Sequence, residues 1–93
     1  MLDRNWRCRE GELDLVVRTA DVVVFCEVKT RRTDAFGAPF EAVTNAKQRR
    51  LRILAVRWLA AHPQGGVDLR FDVASVRAQP GRAPAIEVLE QAF

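Results

Sequence analysis

The chain has 93 residues, a formal net charge of +3 and a composition that is 48% hydrophobic and 29% charged. These values are typical of one small globular domain and exclude a disordered tail or a second core. Two cysteines and one histidine exclude a disulfide scaffold and an ordinary zinc site. The longest apolar run, residues 22–26, is too short for a membrane span, and the N-terminus lacks a signal-peptide pattern. We therefore expect a single domain over residues 1–93, located in the cytoplasm and not in a membrane.

The first third of the chain has the pattern of three strands. Apolar and polar residues alternate around Trp6 and again over residues 13–17, which predicts the first two strands. Residues 22–30 are rich in β-branched and apolar side chains, which is typical of a central strand. Residues 31–43 contain Gly and Pro and are expected to form a loop.

One helix is predicted after the loop, with Thr44 or Asn45 as its cap and Pro63 beyond its end. Residues 67–77 and 85–89 return to strand patterns. The order β-β-β-α-β-β predicts the fold class α/β (α+β), a mixed β-sheet packed against one helix. The apolar residues at helical spacing are Leu51, Leu54, Ala55, Trp58 and Leu59.

Four charged residues on the second and third strands are spaced so that they share one face of a sheet. Glu12 and Asp14 are two residues apart, and so are Glu27 and Lys29. A two-residue hairpin loop that begins at residue 19 would place Glu27 opposite Glu12. A loop that begins one residue later would place Glu27 opposite Asp14, and both registers are expected to keep the four side chains on one face.

Clustered carboxylates repel one another and therefore need a cation. Oxygen ligands without His or Cys favour Mg²⁺ or Mn²⁺ over zinc. A hard cation beside an ammonium group is suited to phosphodiester hydrolysis, in which Lys29 can orient the attacking water or stabilise developing charge. The alternative is a surface ladder of cross-strand ion pairs. Against it, Glu27 lies in the most apolar segment of the chain, where a charge is costly.

The four charged residues belong to two longer sequence motifs. These are residues 11–16, Gly-Glu-Leu-Asp-Leu-Val, and residues 25–31, Phe-Cys-Glu-Val-Lys-Thr-Arg. In this order they resemble the PD-(D/E)xK nuclease superfamily. More narrowly, the chain resembles the YraN-like family, which is related to archaeal Holliday junction resolvases. The resemblance continues through Phe36-Gly37, Pro39-Phe40-Glu41-Ala42-Val43, Ala46-Lys47-Gln48-Arg49-Arg50-Leu51, Arg70-Phe71-Asp72-Val73 and Ala92-Phe93.

The resemblance implies a restriction-endonuclease-like core and a metal-dependent endonuclease that hydrolyses DNA, including branched or processed DNA. It implies that Asp14 and Glu27 hold Mg²⁺ or Mn²⁺ and that Lys29 is the catalytic lysine. It also implies that Glu12 is an auxiliary acid and that Gln48, on the helix, points toward the site.

A basic segment follows the acidic one, since residues 1–28 have a net charge of −2 and residues 29–57 a net charge of +6. Such a segment suits the phosphates of DNA, with little sequence preference. For the helical residues the alternative is a solvated Arg-rich face. Among 15 basic residues only Lys29 and Lys47 are lysines, which indicates either a need for a compact ammonium or a simple Arg bias. The candidate nucleic-acid-binding residues are Arg31, Arg32, Lys47, Arg49, Arg50 and Arg52.

Members of the resembled family usually begin with an additional helix before the strand at Trp6. This chain starts at Met1-Leu2-Asp3, so we expect that helix to be absent. Its absence would uncover apolar surface and favour a homodimer. It also keeps open an alternative function, a catalytically impaired nuclease-fold module that binds nucleic acid or a protein partner.

Asp72, on a later strand, is expected to make a structural hydrogen bond rather than to bind metal.

Overall fold

The structure is a computed structural model that describes residues 1–32, 44–78 and 80–93, with residues 31 and 32 described by their backbone alone. The loop predicted after the third strand lies outside these residues from residue 33 onward. The elements are β1 (Asp3–Cys8), β2 (Gly11–Thr19), β3 (Val22–Arg32), α1 (Asn45–Ala61), β4 (Asp68–Ala78) and β5 (Ala85–Leu89). Their order confirms the predicted α+β fold.

The five strands form one mixed sheet in the order β1-β2-β3-β4-β5. β1, β2 and β3 are successively antiparallel, β3 and β4 are parallel, and β5 is antiparallel to β4. The β2–β3 hairpin pairs Leu15 with Cys26, which is the register expected for a loop at Ala20 and Asp21. The helix α1 lies between β3 and β4 in sequence, and a crossover of this kind is what two parallel strands require.

The core lies between α1 and one face of the sheet. Leu54 and Trp58 of α1 are each 1% exposed, and they belong to the same buried cluster as Leu13 and Phe25 of the sheet. The buried positions of α1 are four of those predicted from helical spacing, and Leu59 packs against them while partly exposed. Thr44 is the cap, because its Oγ1 accepts a hydrogen bond from the backbone N–H in the first turn of α1.

Large apolar side chains remain exposed at several places in the described part of the chain. Among them, Ile53 and Val56 lie on the outer face of α1, and Ile86 and Val88 lie on the edge strand β5. The homodimer stays a prediction. No helix within the described residues is long and apolar enough to cross a membrane.

The start of β1 is tied to the end of α1 by a polar contact. The indole Nε1 of Trp58 donates a hydrogen bond of 3.0 Å to Oδ2 of Asp3, and the ring of His62 stacks on Trp58 at 4.6 Å between centroids. The hydrogen bond from Trp58 lowers the pKa of Asp3. Burial opposes this effect, while the amide of Arg4 and the charge of His62 add to it.

Asp3→Asn is expected to reduce the acid sensitivity of folding. Because the pKa of Asp3 is lower in the folded chain than its usual 3.8, its carboxylate contributes stability above that value. This contribution is lost as the pH falls through the lower, folded pKa. Melting temperatures of the two proteins should therefore differ near neutral pH and converge below pH 3.8. A difference that stays constant with pH would contradict this assignment.

Candidate active site

Asp14 lies where β2 separates from β3. The described pairing of these strands ends at Leu15 and Cys26, and beyond it Oδ2 of Asp14 accepts a hydrogen bond of 2.8 Å from the backbone N–H of Val28. The carboxylate thus takes the place of a backbone acceptor and is held beside Glu27, the residue before Val28. Burial most strongly, then the charge of Asp72 and the smaller effects of Asp14 and Glu27, raise the pKa of the Cys26 thiol, while a backbone hydrogen bond with Ala74 lowers it. Asp14 and Glu27 therefore both lie near Cys26 on β3.

Glu27 is largely buried, with its side chain 13% exposed. Its Oε1 accepts an ion-paired hydrogen bond of 2.7 Å from Nζ of Lys47, which lies in the first turn of α1 and is 33% exposed. Its Oε2 is buried and has no hydrogen-bond partner among the described residues. One oxygen of Glu27 is therefore satisfied by an ammonium, and the other is desolvated without compensation.

Lys29 lies beside the same pair. The pKa of Lys47 is raised chiefly by its hydrogen bond to Glu27; burial and the charge of Arg50 oppose this, and the charge of Glu27 adds to it, while the side chain of Lys29 lies close to that of Lys47. The carboxylate of Asp14, at the N–H of Val28, and the ion pair of Glu27 with Lys47 are thus held at neighbouring residues of β3. We call Asp14, Glu27, Lys29 and Lys47 the charged cluster.

Glu12, predicted to share a face with the other three, lies elsewhere. Its Oε2 accepts a hydrogen bond of 3.1 Å from Nε of Arg7, its cross-strand partner on β1. The neighbouring Leu13 is buried in the core beneath α1, so Glu12 faces the opposite side of the sheet. Leu13 and Val16 are both core residues although three apart, so the strict alternation behind the prediction breaks at Asp14 and Leu15. For Glu12 the ion-pair alternative describes the structure better.

The basic residues predicted to bind DNA have different environments. Lys47 belongs to the charged cluster, whereas Arg49 and Arg50 are exposed on α1. The guanidinium of Arg52 lies over the rings of Phe71 and Phe93, at 5.9 and 5.7 Å from their centroids. Its charge is therefore used at least in part in an intramolecular cation–π contact.

The remaining predicted residues lie close to the cluster in sequence. Gln48 follows Lys47 in the first turn of α1 and is partly buried, and its direction toward the site stays a prediction. Arg31 and Arg32 end β3, and the directions of their side chains lie outside what is described. The contact of Lys47 with Glu27 was not predicted from the sequence. Its only sequence signal was that Lys29 and Lys47 are the two lysines of an Arg-rich chain.

Asp72 has the structural role that was predicted for it. Its carboxylate is 4% exposed and accepts two hydrogen bonds from Arg70, Nε to Oδ1 at 2.9 Å and Nη2 to Oδ2 at 3.0 Å. It also accepts one from the backbone N–H of Gln91 at 3.1 Å. Asp72 pairs with Cys26 whereas Glu27 pairs with Val73, so Asp72 lies on the opposite face of the sheet from Glu27 and outside the charged cluster.

Fold and site together define a class: an α+β domain with one crossover helix, in which paired carboxylates on a hairpin meet two ammonium groups. The model of the family described as "Uncharacterised protein family UPF0102" matches residues 1–76. The chain belongs to this family, and the resemblance to the YraN-like family is thereby confirmed.

Relatives with the same family name are similar over almost the whole chain. A UPF0102 protein of Frankia alni is 54% identical over 93 residues, which is 100% of this chain and 78% of the relative. A UPF0102 protein of Nocardia farcinica is 52% identical over 90 residues, or 97% of this chain and 71% of the relative. A UPF0102 protein of Rhodococcus opacus is 48% identical over 93 residues, which is 100% of this chain and 79% of the relative. These names state the family and no activity.

Proposed function

We propose that this protein is a divalent-metal-dependent endonuclease that hydrolyses phosphodiester bonds in DNA, with Asp14 and Glu27 as the ligands of Mg²⁺ or Mn²⁺. The observation that carries the proposal is the buried Oε2 of Glu27, which has no hydrogen-bond partner among the described residues. Leaving such an oxygen unsatisfied costs roughly 1–3 kcal/mol or more. A cation bound at this oxygen would remove the cost.

The donor set fits a hard divalent cation. Mg²⁺ is commonly held by one or two carboxylates, with waters and substrate phosphates completing its shell. Among residues 1–32, 44–78 and 80–93, no group of three or more His, Cys, Asp or Glu side chains could hold a metal ion. A pair of carboxylates completed by water and DNA is consistent with that finding, whereas a closed protein cage is not.

The residues of the cluster have separate tasks in this proposal. The N–H of Val28 orients Asp14, and Lys47 orients Glu27. Lys29, two residues after Glu27 on β3, offers a compact ammonium that can orient the attacking water or stabilise negative charge on the phosphate. A divalent ion bound by the two carboxylates would polarise the phosphate and lower the pKa of water.

The proposed substrate is DNA, and the resemblance to the YraN-like family and to junction resolvases supports branched or processed DNA in particular. The exposed Arg49 and Arg50, with Arg31 and Arg32 at the end of β3, are the proposed contacts to its phosphates. We propose the cytoplasm as the compartment, since that is where such a substrate would be met.

The direct test incubates the purified chain with a linear duplex, a flapped duplex and a four-way junction, each end-labelled. Product is expected with Mg²⁺ or Mn²⁺ and none with a chelator. Cleavage that continues in the chelator would contradict the proposal. The labelled ends also report which substrate is cut fastest, which tests the preference for branched DNA separately.

One observation favours the second candidate, a catalytically impaired module that binds nucleic acid. The two ammonium groups of the charged cluster already balance the two carboxylates in formal charge, so the folded chain does not need a metal for neutrality. This candidate predicts DNA binding that weakens steeply with salt and yields no product with either metal.

A further inference from the structure

The ion pair between Lys47 and Glu27 has a consequence for any cation that enters the charged cluster. Nζ of Lys47 lies 2.7 Å from Oε1 of Glu27, the more buried of the two partners. With Asp14 and Lys29 included, the formal charge of the cluster is zero. A divalent ion would bring its charge to +2 while the ammonium still occupied one oxygen of a proposed ligand. Coulomb repulsion at such short distances amounts to several kcal/mol even at an effective dielectric constant of about 20.

We propose that Lys47 is an internal counter-ion that competes with the divalent cation for Glu27, and that DNA phosphate relieves this competition. The inference rests on the proposed function, because it takes Glu27 as a metal ligand. It goes beyond that function by making metal binding and DNA binding depend on each other through a residue of α1.

The local structure allows the ammonium to leave without disturbing the helix. The backbone N–H of Lys47 is fixed by Oγ1 of Thr44, at 3.2 Å, and this contact does not involve the side chain. The side chain itself is 33% exposed and has a flexible four-carbon stem, so the ammonium can reach solvent or a nearby phosphate. Displacement therefore breaks the ion pair while the cap of α1 remains in place.

The choice of lysine supports this assignment. An arginine can bind a carboxylate through two parallel hydrogen bonds, which makes it a stronger and less mobile partner. Most basic residues of this chain are arginines, yet the position that contacts Glu27 is a lysine. A single ammonium is the easier group for a cation to displace.

The competition predicts reciprocal coupling between the two ligands. When a phosphate attracts the ammonium of Lys47, Glu27 becomes available to the metal, so DNA should tighten metal binding. By thermodynamic linkage the metal must then tighten DNA binding by the same factor. In the absence of DNA, the affinity of the site for the metal should be low.

The test measures Mn²⁺ binding to the full chain without DNA, by the loss of the free-ion electron paramagnetic resonance signal. Lys47→Met is expected to bind Mn²⁺ at least about tenfold more tightly than wild type, and Lys47→Arg no more tightly than wild type. The matched control is Arg57→Met, which removes one positive charge from an exposed position of the same helix, outside the proposed DNA contacts. It should change the affinity by less than about twofold, because exposed charges are screened.

Two further measurements keep the outcomes distinct. Lys47→Gln is a second variant in case Lys47→Met does not fold, and circular dichroism shows whether each of the two variants is folded. Glu27→Gln should abolish Mn²⁺ binding. If it does so while neither Lys47 variant binds more tightly than wild type, the competition is refuted and the metal site stands. If no protein, including the Lys47 variants, binds Mn²⁺, the competition and the proposed metal site are both refuted.

Discussion

Glu27→Gln is expected to lower metal-dependent cleavage of DNA by about a hundred- to a thousandfold, which is the size of effect typical of losing one electrostatic element of a hydrolytic site. Glutamine has nearly the same shape, so the packing of this largely buried side chain is retained while its charge is lost. Asp14→Asn should have a similar effect, because asparagine can still accept the hydrogen bond from Val28 yet is a poorer ligand for a hard cation. Initial rates on an end-labelled substrate, at saturating Mg²⁺ and Mn²⁺, measure both losses.

The matched control for these variants is Glu10→Gln. Glu10 lies in the turn between β1 and β2 and pairs with Arg57 at 3.3 Å, outside the charged cluster. Its substitution removes the same charge and should leave the rate within about twofold of wild type, since exposed ion pairs contribute little. Equal losses for Glu10→Gln and Glu27→Gln would mean that the lost rate reflects net charge rather than a site.

The variant Glu12→Gln tests whether Glu12 has the role that the family resemblance implies or the role that the structure indicates. The resemblance to the nuclease family makes Glu12 an auxiliary acid, whereas its contact with Arg7 lies on the opposite face from the core. The structure therefore leads us to expect a much smaller loss for Glu12→Gln than for Glu27→Gln. A loss as large as that of Glu27→Gln would show that Glu12 reaches the site during the reaction.

The fold was largely predictable because local patterns and the global architecture agree. The apolar run that begins at Val22 forms the central strand β3, and the helical spacing of Leu54 and Trp58 identifies the buried face of α1. The register of the β2–β3 hairpin was left open between two alternatives. The turn residue Ala20 adopts a φ of +51°, a conformation that usually signals Gly or Asn, so its identity does not distinguish the two possible loop positions.

The site was less predictable, because it depends on contacts that periodicity does not encode. The spacing of Glu27 and Lys29 was informative, since both lie on one regular strand. Strict alternation misplaced Glu12, because β2 changes face near Asp14. The contact of Lys47 with Glu27 depends on where α1 begins relative to β3 in space, and the connection between them gives no periodic signal for that position.

Asp72→Ala is expected to lower the free energy of unfolding by about 3–5 kcal/mol, as is typical when one partner of a buried ion pair is removed. The variant deprives the guanidinium of Arg70 and the N–H of Gln91 of their shared acceptor. It should also loosen the C-terminal residues, where the N–H of Ala92 donates to the carbonyl oxygen of Phe71 at 2.8 Å. Urea denaturation followed by circular dichroism, at a temperature where the variant is still folded, measures the loss.

Two comparisons show whether this loss comes from the buried pair and whether Asp72 is purely structural. Glu90→Gln removes a 67% exposed carboxylate that lies 3.7 Å from the same Arg70, and it should change stability by less than about 1 kcal/mol. Arg70→Met combined with Asp72→Leu should recover part of the stability, because apolar residues can replace a buried ion pair. Folded Asp72→Ala should bind Mn²⁺ like wild type, since Asp72 lies on the opposite face of the sheet from Glu27. A variant that keeps its stability but loses Mn²⁺ binding would instead make Asp72 a ligand and extend the site along β4.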